Sequence, residues 1–551
     1  MYNMKKDIIL KMQRDGEQNT NVAMDFKKWI ILWVRDFCNC TAQHGYKYLV
    51  LQHQHWLEKF MWLTVIGLSI ITAAYMVNVA WYLSERHPTL TTLETDHYPI
   101  WNIPFPAVTI CNTNQVLRSR ALELSKKMVL PKNVTHQQIF KNLQIVTQLL
   151  NPNIYKQRDD LINLQETIDA NNISIRMLTK YLAPQCKQLI ANCTWKGRFV
   201  HNCYKMFQDI TTTEGRCCSF NYNGYLEEVM NQQQSVPVTG NIDKVQRTST
   251  CGFQMGLSLL LDNQPHEYHS TVLASKGVKI LIHNPAAYPS GAAAEVVISV
   301  GMQVFAGISA IQTYATDSVR DMPIKVRSCQ FEDEGFSKVM KMYTYHNCFT
   351  ECQKNKSVAL CGCHSYHYPT TGTRRTCNFL DIPCLSKNRK VLQAIHRGKY
   401  DKTIKYDIEY NDEPCNCLPD CSSLIYTVET TTNAISTNSL LSSNLLLGNL
   451  SPERHSIIHI FFIDLTTNEY RTDIFLEWQA FVATVGGILG LMLGFSLING
   501  FEIVYFFTLR IFFHLTSQRK SNKKPTQAAE KCLTYKHHKQ NQHSMHITSL
   551  S

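Results

Sequence analysis

The chain has 551 residues, of which 44% are hydrophobic and 18% charged, with a formal net charge of +12 and a mean hydropathy of −0.20. That length exceeds one compact core, the mean hydropathy excludes a polytopic membrane protein, and the charge falls below the roughly 25% of soluble chains, so the apolar residues must be concentrated somewhere. Twenty cysteines are many for a reducing cytosol and point to a disulfide framework in an oxidising compartment.

The opening residues carry no apolar core of signal-peptide length, so an internal membrane segment is expected to export the cysteine-rich part. From Asp25 to Phe37, helical spacing puts Phe26, Trp29, Ile30, Trp33 and Phe37 on one face beside Lys27, Lys28 and Arg35, the pattern of an interfacial helix at the inner leaflet. His44-Gly45 follows, and Phe60 to Ser84 is then free of charge for 25 residues, enough to cross a hydrocarbon core of about 30 Å. Strand-like runs occupy Phe105–Cys111, Lys276–Pro285 and Glu295–Thr316. Between the first two, Arg118–Lys180 has the three- and four-residue apolar spacing of helices. The low-complexity stretch Thr430–Asn449 reads as a loop or helix. A second uncharged run, Trp478–Phe501, continues past Glu502 to Leu509. The predicted layout is an amino-terminal segment 1–59, a span at 60–84, a loop at 85–476, a span at 477–509 and a basic tail at 510–551.

Charge orients this layout. Residues 1–59 hold nine Lys/Arg and six Asp/Glu, and residues 510–551 hold eight and one, so the two tails carry +10 of the +12. The positive-inside rule places both termini in the cytoplasm. The large loop is nearly neutral and offers no basic patch for nucleic acid. Seventeen cysteines, Cys111 to Cys421, lie in that loop, together with glycosylation sequons at Asn133, Asn172, Asn192, Asn355 and Asn449. Seventeen is odd, so at least one thiol is free or bridges subunits. Ten cysteines cluster between Cys329 and Cys421, and Cys348 and Cys352, four apart, share one face of a helix. Cys361-Gly-Cys363-His364 and Cys415-Asn-Cys417 superficially resemble zinc-ligand pairs, but their C-x-C spacing is not the usual C-x2-4-C knuckle and the compartment is oxidising; no nucleophile elbow or phosphate loop occurs, so neither an enzyme nor a metal or cofactor site is expected.

The second span carries its own chemistry. Gly486, Gly490 and Gly494 recur every four residues and form a stripe without side chains, which lets helices approach closely. Ser496 continues the small polar end, and Glu502 is a carboxylate within an apolar span, a costly placement that commonly faces a water-filled path.

Together, His44-Gly45, Phe105-Pro-Ala-Val-Thr-Ile-Cys-Asn112, Gly215-Arg-Cys-Cys-Ser-Phe-Asn221, Cys415-Asn-Cys-Leu-Pro-Asp-Cys421 and Gly486-Gly-x2-Gly490-Leu-x2-Gly494-Phe-Ser496 resemble the degenerin/epithelial sodium channel family. The doubled Cys217-Cys218 is most similar to its insect pickpocket branch. The resemblance implies two transmembrane helices flanking a disulfide-rich α+β ectodomain with palm, β-ball, finger, knuckle and thumb regions. It also implies a homo- or hetero-trimer in the plasma membrane, in contact with lipid, that passes sodium and is blocked by amiloride. By the same resemblance Cys111 pairs with Cys217, Cys329 with Cys421, Cys348 with Cys417, Cys352 with Cys415, Cys361 with Cys384 and Cys363 with Cys377. Cys218 and Cys251 are expected to bond to each other, leaving one of Cys186, Cys193 and Cys203 unassigned. Gly494-Phe495-Ser496 becomes the selectivity filter, His44-Gly45 a gating motif, and Ala483, Gly486, Gly490 and Glu502 pore or gate positions. Phe495 is bulkier than the family habit at the middle of the triplet. Asp464, Glu469, Asp473 and Glu477 are candidates for a negative vestibule. Basic residues after Cys384 argue against the acid-gating mechanism of some relatives. The competing expectation is a non-conducting receptor or accessory subunit.

Overall fold

In the computed structural model the described residues are 30–51, 54–152, 158–224, 245–290, 293–335, 337, 339–369, 374–393, 415–436, 446 and 450–513. Phe26, Trp29, Asn449 and Cys532, on which expectations were placed, lie outside them. The chain divides into two compact units, one made of residues 1–88 with 474–551 and the other of residues 89–473.

The first unit holds the membrane candidates. Helix α1 covers residues 30–40, overlapping the interfacial pattern read over Asp25–Phe37 and running three residues past it. Helix α2, Trp56–Arg86, spans 31 residues and is the one helix among those described that is by itself long and apolar enough to cross a bilayer. It is nearly all apolar around its circumference, and only Ile66 and Ala73 are buried, so most of that apolar surface lies open within the chain. The second apolar run is not one rod. It forms two helices, Trp478–Leu493 and Leu497–Phe513, that meet at 72° and satisfy the membrane criterion only as a bent pair.

The second unit is built on two sheets. The larger contains β1 (Thr89–Pro99), β4 (Ile190–Trp195), β5 (Arg198–Val200), β8 (Leu257–Asp262), β12 (Met302–Ala315), β13 (Ser423–Ala434), β14 (His455–Phe462) and β15 (Thr466–Ile474). Its order is β1-β15-β12-β14-β8-β4-β5, with β13 added along β12. The 14-residue β12 is the spine: one flank runs parallel to β14 through Gln303–Ile308 and then to β15 through Ile311–Ala315, and the other pairs antiparallel with β13. The smaller sheet has order β11-β10-β2-β7-β6, from β2 (Ala107–Asn112), β6 (Phe207–Thr212), β7 (Gly215–Phe220), β10 (Gly277–His283) and β11 (Ala294–Ser299). β3 (Asn114–Leu117) and β9 (Tyr268–Thr271) form a separate pair. The run Glu295–Thr316 is thus two strands broken by a turn at Gly301, and Thr430–Ala434 belongs to β13 rather than to a loop or helix.

One core joins the two sheets. Phe105 sits at its centre with its ring edge-on to Trp195, Phe220 and Phe462, at 4.9, 6.2 and 5.6 Å. β2 and β10 are buried at every position, which explains their unbroken apolar and β-branched runs. A second core lies under four helices, Arg118–Lys127 (α3), His136–Asn142 (α4), Arg158–Ala170 (α5) and Ile175–Leu182 (α6), with Ile139, Leu164 and Leu182 fully buried. Thr135 and Gln138 close a capping box on α4, and Ser174 caps α6, so polar side chains start these helices by accepting their first free N–H groups.

Eight disulfides stiffen this unit. Six are the pairs given above: Cys111–Cys217, Cys329–Cys421, Cys348–Cys417, Cys352–Cys415, Cys361–Cys384 and Cys363–Cys377. Cys348 and Cys352 project from one face of α7 (Tyr345–Cys361) to the return segment at Cys415–Cys417. The expected Cys218–Cys251 bond is not formed. Cys218 on β7 bonds Cys186, whose Cα lies 5.6 Å away, and Cys193 on β4 bonds Cys203. Cys251 is the free one.

Candidate functional site

The site is built where the apolar run breaks. In helix α8 (Trp478–Leu493) the intrahelical ladder runs out at Gly494, whose φ of +63° lies in the left-handed region that side chains other than glycine's rarely occupy. Gly494 still donates to the Gly490 carbonyl at 2.9 Å, and Phe495 to the Leu489 carbonyl at 3.2 Å, a terminal arrangement that closes the helix. Two residues later Ser496 starts helix α9 (Leu497–Val504), accepting the Asn499 N–H on its hydroxyl at 3.3 Å. The buried Asn499 returns across the gap, its amide donating to the Gly494 carbonyl at 2.9 Å. Gly494-Phe495-Ser496 is therefore a non-helical link with a defined hydrogen-bond framework inside an otherwise apolar span.

The amino-terminal motif is part of the same framework. The backbone N–H of His44 donates to the Leu493 carbonyl at 3.2 Å, using one of the acceptors the end of α8 leaves free. The His44 ring fills the space over Gly494: a Cβ there would meet ring atoms at 2.7 to 2.8 Å. Gly45 has φ +84°, and its own missing Cβ would lie 3.1 Å from Ile66 of α2. His-Gly is thus required for shape, the glycine turning the chain against the first helix and the histidine reaching the break in the second.

Further along, α1 is clamped to the end of the bent pair. Arg510 pairs with Asp36 at 2.6 Å and stacks over Phe506 at 4.3 Å and Trp33 at 5.3 Å. Phe37 meets Phe506 and Phe507 at ring separations of 5.5 and 5.2 Å. Sequence reasoning took Trp33 and Phe37 for membrane-facing residues and missed Asp36 and Arg510. A charge pair 474 positions apart leaves no local signal.

The other predicted site residues distribute as follows. Ala483 is exposed, as are Gly486 and Gly487, where an added Cβ would meet nothing within 4 Å. Within one chain the stripe is therefore open at Gly486, while Gly490 faces the Phe495 carbonyl and Gly494 the His44 ring. Glu502 is half-buried on α9. The Phe495 ring lies 3.4 Å from where a Cβ on Gly500 would be, folded against its own helix. Of the vestibule candidates, Asp464 and Glu477 are exposed. Burial and the nearby Glu94 carboxylate hold Glu469 above the usual carboxylate range. Asp473 lies 3.7 Å from Arg471 and accepts the Thr316 hydroxyl, so part of the expected negative charge is already compensated.

A family model described as "Amiloride-sensitive sodium channel" matches residues 37–506, all of the second unit and about half of the first. The sodium channel protein Nach of Drosophila melanogaster is 26% identical over 479 residues, covering 86% of each chain. Pickpocket protein 28 of the same organism is 23% identical and covers 93% of this chain and 84% of its own, and the mouse bile acid-sensitive ion channel is 26% identical over 86% and 87%. A structure of a proton-activated chloride channel overlaps 83% of this chain and 96% of its own at 6% identity with a TM-score of 0.22, which carries nothing about the fold. The chain belongs to the amiloride-sensitive sodium channel family, to which the degenerin/epithelial sodium channel motifs of the sequence had pointed. It is a membrane channel family whose members are oligomeric subunits and not enzymes.

Proposed function

We propose that the chain is a pore-forming subunit of a trimeric, sodium-permeable and amiloride-sensitive channel of the plasma membrane. Both termini are cytoplasmic, and residues 89–473 form its extracellular palm, β-ball, finger, knuckle and thumb. The observation that carries this reading is the break at Gly494-Phe495-Ser496, which interrupts an apolar span and is braced by His44 and Asn499. Non-helical backbone at membrane depth is tolerated where it lines a water-filled path or is buried in protein, and freed carbonyls can replace part of a cation's hydration shell. The glycine stripe, open at Gly486 and in ordinary contact with the Phe495 carbonyl at Gly490, supports close approach of copies from neighbouring subunits, with Ala483 at the gate and Glu502 toward the inner mouth.

The test is current in cells expressing the chain alone and with related subunits, with external sodium replaced by a large cation and amiloride added. Sodium-dependent, amiloride-blocked current is expected, and Ala483→Phe raises the resting current at equal surface density. Surface-localised protein that never conducts with any relative refutes the pore-forming role. A second reading, an accessory subunit that does not itself conduct, draws support from Phe495, whose bulk at the middle of the triplet leaves less room for an ion path than a small residue does.

A further inference from the structure

A cavity of about 400 Å³, in the range of small-molecule sites, lies within the second unit. The connection from β10 to β11 forms one wall, the start of α7 a second, and the segment entering β13 a third. Four tyrosines line it: Tyr288, Tyr343, Tyr345 and Tyr426. Three of their hydroxyls are spent on backbone carbonyls, Tyr343 on Leu418 at 2.6 Å, Tyr426 on Pro104 at 2.9 Å and Tyr288 on His367 at 3.1 Å. What those side chains have left to offer is ring. The lining holds two carboxylates, Asp420 and Glu332, and no lysine or arginine. Neither carboxylate has an ion-pair partner among the described residues. The two imidazoles of the lining, His283 and His346, are held below the usual histidine range by burial and are uncharged at neutral pH.

Aromatic faces attract a cation through the ring quadrupole, and carboxylates left without a counter-ion are stabilised by one. Here burial, and after it the Glu332 carboxylate, push Asp420 up to about 6, so its negative charge lacks compensation within the chain. A bare metal ion fits less well, because no three carboxylate or imidazole ligand atoms of this lining all lie within 4.8 Å of one another. We infer that this cavity binds a small organic ammonium ion, its charge at Asp420 and Glu332 and its apolar body against the tyrosine rings. Asp420 also accepts the Tyr345 N–H at 2.9 Å, and the Cys348–Cys417 disulfide fastens α7 to the segment that carries Asp420. An occupant therefore touches α7, the smaller sheet's β10–β11 connection and the entry to β13 of the larger sheet at once. The cavity and its charges lie wholly in the second unit and do not depend on the pore proposed above.

The test uses the full-length protein in detergent with its disulfides intact, titrated with tryptamine and with indole-3-acetamide, the same ring without the charge, by microscale thermophoresis. Tryptamine is expected to bind more tightly. Asp420→Asn should weaken tryptamine binding about tenfold, the effect of losing one charge-assisted contact, and leave that of indole-3-acetamide unchanged. Glu332→Gln, at an exposed position, should weaken it about threefold. Ser423→Trp, which fills the chamber but keeps both carboxylates, should reduce binding of both probes, while Asp321→Asn, exposed and outside the lining, should change nothing. Equal affinity for the two probes overturns the inference. So does an effect of Asp321→Asn as large as that of Asp420→Asn, which would make the attraction diffuse. Zinc chloride that binds through Asp420 more tightly than tryptamine assigns the chamber to a metal and overturns it too. Melting of each variant in detergent guards against misfolding, and if Asp420→Asn does not fold, Glu332→Gln and Ser423→Trp together decide. The readout needs no ionic current, so a failure to conduct and a failure to bind an amine are separate results.

Discussion

Replacing Gly494 by alanine strikes the bent span at its hinge. The left-handed φ of +63° costs a side-chain-bearing residue about 1–2 kcal/mol. In a straightened helix the same alanine gains about 1 kcal/mol over glycine. That gain is measured against the unfolded chain and cancels between two folded forms, so the equilibrium between bent and continuous helix moves by about 1–2 kcal/mol, or roughly 5- to 30-fold toward the straight form. The new methyl also arrives 2.7 Å from the His44 ring, but that ring is exposed and can swing away, so the overlap displaces the motif more than it adds energy. Spin labels on α8 and α9, read by pulsed dipolar spectroscopy, should report a longer separation as the 72° bend opens, together with loss of sodium current per surface chain. His44→Ala should remove the coupling to the motif while leaving the backbone part of the penalty. Gly494→Ala with an unchanged label distance and unchanged current refutes the argument that glycine is there to hold the break.

Three further outcomes follow from the second unit. Cys218→Ser should leave Cys186 reactive to maleimide in non-reduced surface protein, whereas Cys251→Ser should not alter the disulfide pattern on peptide mapping; the reverse would restore the Cys218–Cys251 pairing. Asp420, which accepts the Tyr345 N–H at the start of α7, is pushed from an ordinary 3.8 up to about 6, by burial first and then by the Glu332 carboxylate. The folded pKa lies above the unfolded one, so folding takes up a proton in this window: stability should fall as pH rises from about 4 to 6 and stay level above, and Asp420→Asn should flatten the slope of melting temperature in detergent. Asn133, Asn172 and Asn355 are exposed, the first two in left-handed turns, while Asn192 is half-buried in β4 with its amide donated to the Leu446 carbonyl at 3.2 Å. Deglycosylation mass tags should appear at the first three and be absent from Asn192.

The long apolar helix over Phe60–Ser84 and the strand character of Ala107–Asn112 and Gly277–His283 were legible because each is written in consecutive residues, as a charge-free run or an unbroken β-branched stretch. The six disulfides shared with the family came with its motifs. Cys218 went to the wrong partner because cysteine spacing says nothing about which strand lies opposite. Only the packing of the two sheets around one core brings Cys186, just ahead of β4 in the larger sheet, to a bridgeable distance from Cys218 on β7 of the smaller.

What the sequence determined by itself is local: where apolar length suffices to cross a bilayer, where charge forbids it, and that glycine and serine at 494 and 496 permit a break. That the break forms, and that His44 lies over it while Asp36 holds Arg510, was decided by tertiary structure. Those contacts join residues about 450 positions apart, and pairings at such separation depend on how the helices pack, which no residue's own preference encodes.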